Sequence, residues 1–66
     1  MRVNTEKLKE LLEVKKIEQK ELAEQVGVSA PMVSYIVNGL KEPSLTVLGR
    51  IAKVLGVSVA ELIVEE

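Results

Sequence analysis

Residues 19–39 read QKELAEQVGVSAPMVSYIVNG, and the way this stretch divides decides the fold. Leu22, Ala23 and Val26 recur at helical spacing, which predicts a helix from about Gln19 to Gln25. Glu18 stands at its N-cap, a weaker cap than Ser or Thr, while Glu21 in the first turn suits the helix dipole. Gly27 is free to take the left-handed conformation that ends a helix sharply. Ser29 then caps a further helix with Val33, Ile36 and Val37 on its apolar side, and Pro31 falls in the first turn, where a missing N–H costs little. Asn38-Gly39 ends it. A small residue at Ala23, a glycine four places later and apolar positions at Val33 and Ile36 suit two helices crossing closely, at roughly 90–120°, about a tight turn. Each feature is common alone. Together, at these offsets, they specify a helix-turn-helix over about residues 19–37.

The rest of the chain reads as more short amphipathic helices. Asn4 or Thr5 caps a first helix carrying Leu8, Leu11 and Leu12, whose end is favoured electrostatically by Lys15-Lys16. After the loop Lys41-Glu42-Pro43, Ser44 caps a fourth helix bearing Leu45, Leu48, Ile51, Ala52 and Leu55, closed by Gly56. Ser58-Val59-Ala60-Glu61 fits a capping box and predicts a short fifth helix through Leu62 and Ile63. Residues 54–59 are rich in Val, but Gly56 and the capping box argue against a strand there. No repeat, low-complexity tract or linker interrupts the pattern. The expected architecture is a single all-α, compact five-helix domain over residues 1–66. Leu62, Ile63 and Val64 cannot all face inward from one helix. Val59, Ile63 and Val64 are therefore expected to meet a partner, most simply a second copy across a two-fold axis.

Composition narrows the function classes. A chain of 66 residues is one small domain that buries only about 60% of its unfolded surface. With 47% hydrophobic residues it is too apolar to be a disordered tail. Without Cys or His it has no disulfides, no thiol chemistry and none of the usual zinc sites. No Gly-rich phosphate loop or metal-ligand spacing occurs, and Ser34, Ser44 and Ser58 have no base set beside them by any motif. No apolar run is long enough to cross a bilayer, and Met1-Arg2 does not open a cleavable leader. These features lead to the expectation of a soluble cytoplasmic protein, not an enzyme, with no cofactor and no metal. Nine basic residues against ten acidic leave a net charge of −1, and from Glu18 to Lys41 the only cations are Lys20 and Lys41. Any nucleic-acid contact must lean on backbone N–H groups and helix N-termini, which bind phosphate without formal charge.

Three stretches, QKELAEQVGVSAPMVSYIVNG, PSLTVLGRIAKVLGVSVAEL and LKELLEVKKIEQ, resemble the lambda-repressor-like, Cro-type helix-turn-helix domains of phage and bacterial regulators. The resemblance runs from about Leu8 to Leu62. It implies a five-helix domain whose third helix enters the major groove of double-stranded DNA, commonly as a homodimer on a two-fold operator. It also implies phosphate contacts at Gln19 and at Asn38-Gly39, and base-reading positions at Ala30, Pro31, Ser34 and Tyr35, with Ser29 at the cap. Lys41 would join Gln19 and Asn38 in fixing register on the backbone. Plainer roles stand beside these. Gln19 and Lys41 also read as solvated residues, Tyr35 as a half-exposed surface tyrosine, and Asn38 as a helix terminator.

Two departures from the family pattern carry information. Many members pair an Arg on the first helix with a Glu just before the Asn-Gly; here those positions hold Leu12 and Val37. Replacing both members of a buried ion pair by apolar residues is often neutral or stabilising, so the joint change fits the same fold. Ala30 and Pro31 bring no hydrogen-bonding side chain to the reading positions. What remains is contact with thymine methyl groups, hydroxyl bonds from Ser29 and Ser34, Tyr35, and the shape of the DNA. The leading expectation is a sequence-specific transcriptional regulator. The rival is a protein-interaction module, antitoxin-like or adaptor, that presents Ala30, Pro31, Met32 and Tyr35 to a protein partner.

Overall fold

The punctuation in the sequence becomes helix ends in the folded chain. The computed structural model describes residues 2–64, as strand β1 (Arg2–Val3), helices α1 (Thr5–Lys15), α2 (Gln19–Val26), α3 (Ala30–Val37) and α4 (Leu45–Leu55), a 3₁₀ turn (Val59–Leu62), and strand β2 (Ile63–Val64). Of the two cap candidates for α1 it is Asn4 that acts, its Oδ1 accepting from the N–H of Lys7 at 3.0 Å. Ser29 and Ser44 do the same for α3 and α4, accepting from Met32 and Val47 at 3.2 Å each. Glu18 makes no side-chain cap on α2. Gly27, at φ 86°, ends α2 in the left-handed region, where a side chain would be strained. Val54 lies inside α4, so the Val-rich stretch begins as helix.

These ends set the angles at which the apolar faces meet. α2 packs on α3 and α4, while α1 reaches α3, α4 and the 3₁₀ turn. Leu8, Leu22, Ile36, Leu48, Ile51, Leu55 and Leu62 are fully buried at the centre. On α4, Leu48, Ile51, Ala52 and Leu55 form one inward stripe at helical spacing. Among the described residues no polar or charged side chain is buried, and no helix is long and apolar enough to cross a membrane.

The far end of the chain differs from expectation. In place of a fifth α-helix there is a single 3₁₀ turn of four residues, after which the chain straightens into β2. β2 pairs antiparallel with β1, Arg2 opposite Val64 and Val3 opposite Ile63. The N–H of Asn4 continues this pairing to the carbonyl of Leu62 at 2.8 Å. Two physical causes account for the change. Ser58 makes no side-chain cap, so the capping box does not close. Val59, Ile63 and Val64 are β-branched, which weakens a helix and suits extended backbone.

The larger apolar residues at this end are all at least half covered by the chain itself. Leu62 is buried, Ile63 and Val64 are half-buried, and Val59 and Ile63 pack against the core.

Leu12 and Val37 both belong to the buried core, 7% and 2% exposed, on helices that pack together. Leu12→Arg alone should cost about 3–5 kcal/mol, the scale of an uncompensated buried charge. Adding Val37→Glu should recover a substantial part of that loss, read by chemical denaturation. A double variant as unstable as the two single losses summed would show that the two side chains do not share one packing site.

Candidate nucleic-acid interface

The inward residues of α3 define its outward face by elimination. Val33, Ile36 and Val37 are buried and Met32 is half-buried against the core. The opposite stripe therefore carries Ala30, Pro31, Ser34, Tyr35 and Asn38, at helical spacing. Ala30, Pro31 and Asn38 are exposed, Ser34 is half-buried, and Tyr35 keeps 50% of its surface. Ser29, just before the helix, is exposed. Its oxygen accepts the cap bond from Met32, which leaves its O–H free to donate. Six of the expected contact residues thus share one side of one element and its caps.

The end of α3 is tied down more than expected. Asn38 Nδ2 donates to the carbonyl of Ser34 at 2.8 Å and lies 3.4 Å from Ser34 Oγ. The backbone N–H groups of Asn38 and Gly39 are also committed, to the carbonyls of Ser34 and Ile36. Asn38 therefore serves α3 as its terminator. A phosphate contact from it requires the exposed amide to exchange its Ser34 bonds for one outward. Beyond it, the carbonyl of Tyr35 accepts from both Leu40 and Lys41, at 2.8 and 3.3 Å, folding the following loop back onto the helix. Lys41 emerges exposed from that loop.

At the start of α2, Gln19 and Lys20 are exposed. The first N–H groups of any helix have no partner within it, and Glu18 does not take them up. This end therefore offers several uncharged donors to an anion. Val59, Ile63 and Val64 lie elsewhere, on the 3₁₀ turn and β2.

Two arginines escaped the sequence reading. Arg50 Nη1, on α4, donates to the carbonyl of Val26 at 3.3 Å, beside Gly27. α2 has no basic residue in its own last turn, so this guanidinium supplies the cation that a helix C-terminus favours. Arg2, on β1, lines a cleft of ≈ 280 Å³ together with Val3, Thr5, Ile36, Gly39, Lys41 and Glu42. Arg50 meets a carbonyl 24 residues away, Arg2 shares its cleft with residues of α3 and the loop after it, and no local pattern marks either.

Comparison with known proteins follows the same outline. The helix-turn-helix family model matches residues 8–62. Two uncharacterised HTH-type transcriptional regulators, from two strains of Mycobacterium tuberculosis, are each 46% identical over 48 residues, 73% of this chain and 34% of theirs. The chain thus spans about a third of the length of these curated relatives. Among solved structures, the clp gene regulator ClgR from Corynebacterium glutamicum is similar at a TM-score of 0.81 and 33% identity, over 86% of this chain and 61% of that one. The hydroxypropylphosphonic acid epoxidase from S. wedmorenis is similar at a TM-score of 0.80 and 39% identity, over 91% of this chain and 32% of that one.

The two ends of the exposed stripe should respond differently to truncation. Asn38→Ala removes the bonds that close α3 and should cost about 0.5–1.5 kcal/mol of stability. Tyr35→Ala should stay within about 0.5 kcal/mol of the wild type, as surface changes usually do. Thermal unfolding of the free chain followed by circular dichroism measures both.

Proposed function

The chain belongs to the helix-turn-helix family, and on that premise we propose that it is the DNA-binding module of a transcriptional regulator. The observation that carries this reading is the outward face of α3. Its inner side is locked to α2 and the core, and its outer side leaves Ala30 and Pro31 exposed, with Tyr35 half-exposed and Ser34 half-buried beside them.

In the proposed mode α3 lies in the major groove. The methyl of Ala30 and the ring of Pro31 meet thymine methyl groups, Ser29 and Ser34 offer hydroxyls to base edges, and Tyr35 reaches a base or phosphate. Gln19 and the open N-terminus of α2 hold one phosphate strand, while Asn38 and Lys41 hold the other flank. With so little base-edge hydrogen bonding, part of the specificity falls to DNA shape. A homodimer on a palindromic operator completes the reading, with the two-fold contact at the end formed by Val59, Ile63 and Val64.

A second reading has observations of its own. Val14, Leu40 and Leu45 are 69%, 75% and 65% exposed, and the same fold forms about a third of an epoxidase chain. Both suit a module that docks onto protein, with the apolar stripe of α3 as part of the contact.

Selection from a random duplex library separates the two. A palindrome should be enriched and should bind at least tenfold more tightly than scrambled duplex. A dimer neutralising about 4–6 phosphates should show a log–log salt slope near −4 to −5. Ala30→Gln should change the preferred sequence, because a bidentate group then faces the bases. Sedimentation at tens of micromolar, with and without DNA, reads the dimer. Without a selected sequence that clears tenfold, the protein-docking reading takes over.

A further inference from the structure

The helix-turn-helix is poor in cations, with only Lys20 and Lys41 between Glu18 and Lys41. The fold brings another to its edge from the opposite end of the chain. Pairing of β1 with β2, continued by the Asn4–Leu62 bond, fixes the backbone of residues 2–4. Across from it, the two bonds to the Tyr35 carbonyl hold Leu40 and Lys41, and buried Pro43 anchors the other end of the loop. Both segments line the ≈ 280 Å³ cleft, the first with Arg2, Val3 and Thr5 and the second with Gly39, Lys41 and Glu42, together with buried Ile36 of α3.

We infer that this cleft is a phosphate-binding site in which Arg2 and Lys41 grip one backbone phosphate of the duplex bound by α3, with the Thr5 hydroxyl as a neutral donor. The inference rests on the DNA-binding reading for the source of its ligand. Both cations are exposed side chains on anchored backbone. A guanidinium offers its planar fork of N–H groups to phosphate oxygens, and a lysine adds a compact charge. The cleft adjoins the end of α3 at Gly39, the flank already assigned to backbone contact. The Glu42 carboxylate on the same rim opposes an anion. It keeps the site weak for free phosphate, so that the site fills when α3 holds the duplex in place.

The test compares wild type, Arg2→Gln, Arg2→Lys and Lys41→Gln for binding to selected and scrambled duplexes across a salt series. Thermal unfolding of each variant is recorded alongside. Arg2→Gln and Lys41→Gln should each weaken both duplexes alike, by about threefold to tenfold, and make the salt slope shallower by about 1 per chain. Arg2→Lys should keep the wild-type salt slope, because the charge remains, and should lose less affinity than Arg2→Gln, because only the planar fork is gone. Wild-type binding by Arg2→Gln overturns the site while leaving the DNA reading intact. So does equal loss in Arg2→Gln and Arg2→Lys, which would make the residue a structural part of β1, and so does loss confined to the selected duplex.

A parallel titration of the free chain with inorganic phosphate follows the amides of Thr5, Gly39 and Lys41. If the wild type binds no duplex yet these amides shift, and the shift is lost in Arg2→Gln, the cleft takes free phosphate and the DNA source is refuted. If neither duplex nor phosphate binds, both the site and the DNA reading fall.

Discussion

Everything the exposed face of α3 can do depends on how closely α2 approaches it at the turn. The carbonyl of Ala23 accepts from two successive N–H groups, Gly27 at 2.9 Å and Val28 at 3.0 Å, so the chain reverses within a few residues. Ala23 itself is 2% exposed, and Gly27 sits at φ 86°. A longer side chain at the first position has nowhere to go in a close-packed interior, and any side chain at the second strains the backbone. From this single reversal follow the angle of α3, the burial of Val33, Ile36 and Val37, and the identity of the residues left facing solvent. Arg50 adds an electrostatic tie at the same place, joining α4 to the last carbonyl of α2.

A weakly charged chain that engages a polyanion has to distribute the work. In the proposed mode the uncapped start of α2 contributes aligned N–H groups, which carry partial charge but no counterion of their own. The formal cations arrive singly and from different elements, Lys20 on α2, Lys41 after α3 and Arg2 on β1. Such an arrangement limits the non-specific electrostatic component of binding, since few counterions are released. In that mode, discrimination between sequences rests more heavily on shape and apolar fit along α3. The same apolar fit is what a protein surface would recognise, which is why the two functional readings compete over the same residues.

The parts of the fold legible in sequence are those decided locally. Asn4, Ser29 and Ser44 cap the helices that follow them, and Gly27 and Gly56 stop the helices before them, all within four residues of the groups they touch. The exposed face of α3 was legible for the same reason, because the period of Val33, Ile36 and Val37 fixes which side points inward. What escaped is non-local or too short to show a period. Two-residue strands have no alternation to detect, so β1 and β2 become visible only when the ends of the chain meet. Arg50 bonds to a carbonyl far away in sequence, and Arg2 lines a cleft whose other side comes from residues 36–42. Ser58 to Glu61 shows the opposite error, a local motif present in letters and not made in space. The Asn38 amide lies between these cases: its terminator role is legible in the sequence, but not the bonds to Ser34 that hold the very group a phosphate would need.

The β1–β2 pair also decides how force and connection reach the domain. In an antiparallel pair, residues directly opposite lie about 5 Å apart, so Arg2 and Val64 are neighbours although nearly the whole chain separates them. A polypeptide attached before and after would enter and leave at one point, and the helices could be spliced into a larger protein as a closed loop. Tension applied through both ends would pull the two short strands apart like a zipper, one residue pair at a time. The helix-turn-helix would feel no load until Asn4 let go of Leu62. The small sheet and the bond behind it are thus the first contacts such a load would meet, ahead of the packing between α2 and α3.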